Sequence, residues 1–294
     1  MENLDIKKNL VSIILPTYNR ISDLKRAINS VFLQTYKNWE LIIIDNNSND
    51  GTEAFIKSLN DPRIIFILIN NQGQIAISRN KGIEISKGEY IAFLDSDDWW
   101  KNNKLEISLN NFVENIDLVY HDLFIVKKLN RFNFYLKKTN CISYNFPVYM
   151  NLLEKGNHIN NSSVVVRKSV IEKINNLPIN PFLNSICDFH AWIEISKKTN
   201  NFKKIDASLG YYWLGGGNTT NPLNTINSLT YFRDNILTNN FENLNWLNYS
   251  LARSYYLIGD KHNFNIQKNK LLKAPKTYLI NLKLLYMNFI LYFK

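Results

Sequence analysis

Residues 88–100 read GEYIAFLDSDDWW, a short apolar run that stops abruptly at three carboxylates, Asp95, Asp97 and Asp98. Tyr90 to Leu94 has the length and unbroken apolar character of a strand buried on both faces of a parallel sheet. Leu10–Leu15, Leu41–Ile44 and Ile64–Ile69 share that character. Between these runs the apolar spacing changes to three- and four-residue steps. Ile21, Leu24, Ile28, Val31 and Phe32 mark one helix, with Ser22 placed to cap it, and Gly51–Leu59 and Ile75–Ile85 mark two more. Strands and helices that alternate in this way predict an open α/β sheet, whose ligands bind at the carboxyl ends of the strands.

Polar segments stand at those carboxyl ends. Pro16-Thr17-Tyr18-Asn19-Arg20 comes after the first strand, Asp45 to Thr52 (DNNSNDGT) after the second, and Asp95-Ser96-Asp97-Asp98 after the fourth, so three loops of hydrogen-bonding groups meet along one edge. Beyond Trp99 the pattern loosens. It predicts a helix over Asn102–Asn115, strands at Leu118–Tyr120 and Ser163–Val166, a helix over Cys187–Lys197 and a glycine-rich loop over Tyr211–Thr220. The chain is mainly helical from Asn224, and most of residues 121–165 has no clear pattern.

The chain has 294 residues, of which 45% are hydrophobic and 20% charged, enough for a sizeable core and unlike disordered, collagen-like or low-complexity sequences. Cys141 and Cys187 cannot form a disulfide framework and lie in no Cys-x-x-Cys motif, so a reducing compartment is expected and a structural zinc site is not. His158 and His262 have no ligand-like spacing either. Met1 to Asn9 does not read as a secretory signal, and no window holds the ~20 apolar residues of a spanning helix, which points to the cytoplasm.

A net charge of +10 suits an anionic partner. Residues 261–294 carry seven lysines and no acid among Leu, Ile, Tyr and Phe. Such a segment predicts a basic amphipathic helix on an anionic membrane surface, peripheral to the inner face of the cell membrane. The alternative is a helix packed on the core with a solvated basic face.

Three carboxylates in four residues repel one another unless cations or hydrogen-bond donors balance them. Mg²⁺ or Mn²⁺, held by one or two carboxylates together with phosphate oxygens, would do so. A helix cap before Trp99 would need only one acid.

Together, Val11–Arg20 (VSIILPTYNR), Asp45–Thr52, Ser78–Gly82 (SRNKG) and Gly88–Trp100 resemble the inverting glycosyltransferases of family 2. The resemblance implies the GT-A fold: a mixed, mostly parallel central sheet flanked by helices, with a Rossmann-like nucleotide-binding half. Residues 1–222 would form the catalytic domain, split into a nucleotide-sugar half (1–100) and an acceptor half (101–222). Residues 223–294 would form a helical basic extension.

The resemblance also implies roles, motif by motif. Pro16, Thr17 and Tyr18 would meet the base and ribose of a UDP-sugar, and Asp45 the uracil ring. Arg79 would lie near the base and diphosphate. Asp95, with Ser96, would hold the ribose, and Asp97 would bind Mn²⁺ or Mg²⁺ with help from Asp98. Asp188, in Cys187-Asp188-Phe189-His190-Ala191-Trp192, matches the family's general base, with His190 as runner-up. Asp50 reads as a cap for the helix after it.

Departures from the family pattern are Cys187 in place of Glu, Asn46 in place of a second acid, and Ser78 in place of Ala. Trp213–Asn218 resembles the segment that closes over donor and metal in relatives. The implied reaction is inverting transfer of a hexosyl unit to a hydroxyl of a lipid-linked glycan in bacterial polysaccharide, O-antigen or lipooligosaccharide synthesis. A nucleotide-sugar-forming nucleotidyltransferase would need a glycine-rich basic loop where Pro16–Asn19 stands. A non-catalytic basic membrane-binding protein with a vestigial sheet is a further alternative. Nothing resembles a nucleic-acid-binding motif, so no nucleic-acid partner is expected.

Overall fold

The computed structural model describes residues 9–113, 115–127, 137–215, 221–237, 244–272 and 287. The apolar runs become β1 (Val11–Thr17), β2 (Trp39–Asp45), β3 (Ile64–Leu68) and β4 (Tyr90–Phe93), linked by helices α1 (Ile21–Phe32), α2 (Thr52–Ser58) and α3 (Ile75–Ile85). β1 lies parallel to both β2 and β4, and β2 to β3. Register matters here. Thr17 pairs with Asp45, so β1 and β2 end level, whereas β4 ends at Phe93 opposite Ile14, three residues before the end of β1.

β1, β2 and β4 are buried throughout, as unbroken apolar runs require, whereas β3 is only partly buried because it forms the edge of the sheet. Alternate residues feed two cores. Ile14, Ile42, Ile44 and Phe93 point to one, and Ile13, Leu15, Leu41 and Ile43 to the other. α1 closes the second core with Leu24, Ile28 and Val31, and α3 closes the first with Ile83. Gly82 makes α3 fit, since a Cβ there would sit 2.8 Å from Ile14 Cγ2.

α1 begins at Ile21, so Ser22 lies inside its first turn instead of capping it. The backbone N–H of Ile21 donates to Asp50 Oδ2 at 2.8 Å, while Asp50 Oδ1 accepts from the Thr52 N–H and hydroxyl at 3.2 and 2.7 Å. One carboxylate thus caps two helices and ties the first two loops together. Its pKa is lowered, because these hydrogen bonds outweigh burial.

The second half adds β5 (Trp99–Trp100), α4 (Lys104–Asn110), β6 (Leu118–Val126), α5 (Val148–Lys155), β7 (Val165–Arg167), α6 (Lys168–Glu172), α7 (Cys187–Ser196) and β8 (Phe202–Trp213). Short 3-10 turns span Asn161–Ser163 and Pro181–Ile186. The eight-stranded sheet runs β3-β2-β1-β4-β7-β6-β8-β5, with β7 antiparallel to its neighbours β4 and β6.

β8 is the largest departure from the sequence reading, which gives it no strand and starts a loop at Tyr211. Its string FKKIDASLGYYW lacks apolar alternation, and what makes it a strand is pairing with β6 over nearly its whole length. α5 likewise has only eight residues and weak punctuation.

Helices α8 (Pro222–Asn235), α9 (Asn245–Ile258) and α10 (Lys261–Leu272) complete the described chain. α8 joins the first core through Phe232, whose ring lies 5.5 Å from Phe189 and 6.1 Å from Trp246. Phe264 and Leu271 of α10 are fully buried in a small cluster with Ala252 of α9. These apolar side chains of 261–272 are therefore occupied within the protein. The remainder of the basic tail, apart from Met287, lies outside the described residues. Among the described residues no helix is long and apolar enough to cross a membrane.

Candidate active site

At the end of β1, Thr17 is buried with its hydroxyl lacking a hydrogen-bond partner, while the next residue, Tyr18, is 52% exposed. Pro16 is buried in the strand. Asp45, at the end of β2, is wholly buried, and Ser48 donates from its hydroxyl to Oδ1 at 2.5 Å. Burial raises the pKa of Asp45 against the opposing Ser48 bonds. Asn46 accepts from the Asn71 N–H at 2.8 Å, a bond that ties the loops after β2 and β3.

The SRN motif opens out from α3 in three directions. Ser78 accepts from the Asn71 amide, and Asn80 pairs with both backbone groups of Leu177. Arg79, 4% exposed, donates from Nη2 to Asp95 Oδ1 at 2.8 Å and from Nη1 to Cys187 Sγ at 3.4 Å. Its Nε is buried without a partner. Burial works against the guanidinium charge, yet Asp95, Cys187 and Asp188 outweigh it and raise the pKa.

The three clustered acids have different surroundings. Asp95 keeps 28% of its side chain exposed. Asp97, 15% exposed, accepts from Arg20 Nη1 at 2.6 Å, and its backbone carbonyl accepts from Arg26 Nη2 at 2.8 Å. Burial and then Asp95 raise the Asp97 pKa, with Arg20 opposing. Asp98 is buried and turned inward, where Oδ2 accepts from Ser162 Oγ at 2.6 Å and Oδ1 from the Trp213 N–H at 3.0 Å. Burial, Asp97 and Asp95 push its pKa well up. Both Asp98 oxygens are thus committed to holding β8 and the Asn161–Ser163 turn. Ser96 is buried.

Asp188 sits in the first turn of α7, one residue past Cys187. Its Oδ1 accepts from the Phe189 N–H at 2.8 Å and its Oδ2 from Asn157 Nδ2 at 3.3 Å. Burial raises its pKa and Asp95 adds to the rise, while Arg79, Phe189 and Asn157 oppose it. His190 is buried on the same helix, 3.7 Å from Glu194, and burial lowers its pKa.

Apart from His158, weighed only as a metal ligand, the sequence reading missed residues 157–162, NHINNS, which run past the acids. Asn157 reaches Asp188, Asn161 donates to Asp95 Oδ1 at 2.9 Å, and Ser162 reaches Asp98. The Ser162 carbonyl also accepts from Trp100 Nε1 at 2.7 Å. An amide-rich run directly before a buried strand was the signal. Arg20 and Arg26 were passed over too, although Arg20 ends the first quoted motif.

The Trp213–Asn218 loop is described only to Gly215, where a Cβ would collide with the Trp213 indole. Residues 216–218 lie outside the described residues.

Among the described residues no group of three His, Cys, Asp or Glu side chains is arranged to hold a metal. Mg²⁺ and Mn²⁺ take only one or two carboxylates where substrate phosphates complete the shell, a demand that the partly exposed Asp97 can meet.

The arrangement offers an exposed aromatic, Tyr18, a buried guanidinium, acids at the sheet edge and a separate acid with a raised pKa. The model of "Glycosyl transferase family 2" matches residues 12–174, more than half the chain. This chain belongs to family 2. Relatives include an uncharacterized glycosyltransferase of Rickettsia felis, 33% identical over 71% of this chain and 34% of that protein. Another is UDP-Glc:alpha-D-GlcNAc-diphosphoundecaprenol beta-1,3-glucosyltransferase WfgD of Escherichia coli, 32% identical over 65% of this chain and 71% of that one. The match thus spans about a third of the Rickettsia protein. Among solved structures, S. aureus TarS 1-349 in complex with UDP-GlcNAc superposes with a TM-score of 0.60 at 16% identity, covering 89% of this chain and 78% of that 1-349 chain. The fold is the GT-A fold of family 2.

Proposed function

We propose that the protein transfers a hexosyl unit from a UDP-sugar, with inversion, to a hydroxyl of a glycan carried on a lipid diphosphate. The observation that carries this reading is the Arg79 guanidinium, which touches Asp95 on one side and Cys187, the neighbour of Asp188, on the other. This contact supports a reading in which the donor site and the general base share one cluster.

Tyr18, 52% exposed, offers a stacking face for the base. Asp95 takes the ribose hydroxyls. Asp97 would hold a divalent cation together with the phosphates, where the cation would neutralise the charge that grows on the departing diphosphate. Asp188 accepts the proton of the attacking hydroxyl, a role that its raised pKa favours. A lipid-linked acceptor matches what WfgD is named for, and the basic tail suits the anionic surface that would present it.

The test is a panel of UDP-sugars with Mn²⁺ or Mg²⁺, read out as UDP release with and without a synthetic N-acetylglucosaminyl diphosphate lipid. Acceptor-stimulated release from one donor supports the reading. Failure of every donor to bind in the presence of metal refutes it.

A further inference from the structure

A pocket of about 170 Å³ opens beside Asp188, lined by Asn140, Asn157, His158 and Asn160 among others. It is far smaller than the ~300–1,000 Å³ of a drug-sized site and of the scale of one sugar ring. Two of its walls have fixed polarity. The Asn157 carbonyl oxygen accepts from the Ile159 N–H at 3.0 Å, so its amide nitrogen must face Asp188, whose Oδ2 lies 3.3 Å away. His158 Nδ1 lies 2.9 Å from the Asn140 carbonyl, which can only accept. Nδ1 therefore carries the proton, and in the neutral ring Nε2 is left as an acceptor.

We infer that this pocket holds the terminal pyranose of the acceptor and that His158 is a specificity-determining residue, accepting a hydrogen bond from a hydroxyl next to the one that Asp188 deprotonates. The inference rests on the transferase reading and adds a substrate class to it: a pyranose whose attacking hydroxyl has a free hydroxyl neighbour. Two acceptors lining one small pocket suit two adjacent hydroxyls. A ring lacking the second would leave His158 Nε2 unpaired, a loss that polar sites discriminate strongly.

The experiment is ligand-observed NMR with methyl glycosides of glucose, galactose, N-acetylglucosamine and mannose, with UDP and Mn²⁺ present. It uses the full chain, His158→Phe and His158→Gln, each first titrated with UDP. At least one methyl pyranoside is expected to bind, to weaken about tenfold in His158→Phe and to recover in part in His158→Gln, which restores an acceptor, with UDP affinity unchanged throughout. A deoxy analogue of the bound glycoside should lose affinity for the wild-type chain yet bind His158→Phe no worse than its parent does. Binding by no glycoside, or equal binding to wild type and His158→Phe, overturns the inference while UDP binding still stands. Loss of UDP binding in the wild-type chain overturns the transferase reading itself.

Discussion

Arg79 Nη2 lies 2.8 Å from Asp95 Oδ1, and the same guanidinium reaches Cys187 Sγ at 3.4 Å. This buried cation is the physical joint between the parallel half of the sheet and α7. Breaking a fully buried pair from one side costs about 3–5 kcal/mol, and Asp95, being partly exposed, recovers some of that from water. Arg79→Met should therefore destabilise the fold by about 2–3 kcal/mol in chemical denaturation. It should also weaken UDP binding measured by titration. A variant as stable as wild type would show that the joint is dispensable.

Asn157 donates to the carboxylate of Asp188, which favours its charged form. Burial holds the Asp188 pKa above the ordinary aspartate value of about 3.9, so the acid limb of the rate profile should lie above that pH. Asn157→Ala removes an opposing contribution, and the limb should move to higher pH still. UDP affinity should not change. A limb that stays in place would separate Asn157 from the base.

Asp98 holds Ser162 and the Trp213 N–H, so substitutions that differ in hydrogen-bonding capacity should behave differently. An asparagine can accept from Trp213 and donate to Ser162, and Asp98→Asn should keep both stability and metal-dependent UDP binding. Asp98→Ala orphans both partners at a cost of about 1–3 kcal/mol. Loss of metal dependence in Asp98→Asn would instead make Asp98 a ligand.

Gly88 stands where a Cβ would lie 2.6 Å from both the Leu10 carbonyl and Ser12 Oγ. Its N–H donates to Ser12 Oγ at 2.8 Å, and the Ser12 hydroxyl donates in turn to Glu40 Oε1. Backbone cannot step aside as a side chain can. Gly88→Ala should lower stability by about 1–3 kcal/mol, seen as an earlier denaturation midpoint with an unchanged slope.

β1 to β4 were legible because they pair parallel with one another, and such strands write unbroken apolar runs into the sequence. The helices between them could be read from spacing, and α3 has the bounds that its periodicity predicts. β8 was not legible, since Lys203, Lys204 and Asp206 interrupt it and its identity comes from β6, some eighty residues earlier. The acids were visible in the sequence, but their division of labour was not. Asp98 and Asp97 are neighbours in the chain, and only the fold turns one toward Ser162 and the other toward Arg20. The 157–162 run stayed hidden because its donors matter only through acids placed far off in the chain.

The most direct test of the donor site is calorimetric titration of UDP, with and without Mn²⁺, into the wild-type chain, Asp97→Asn and Asp188→Asn. Metal-dependent binding should appear in the wild type, fall at least tenfold in Asp97→Asn and persist in Asp188→Asn. Undiminished binding in Asp97→Asn, or binding indifferent to Mn²⁺ in the wild type, would contradict a cation held at Asp97 against the departing diphosphate.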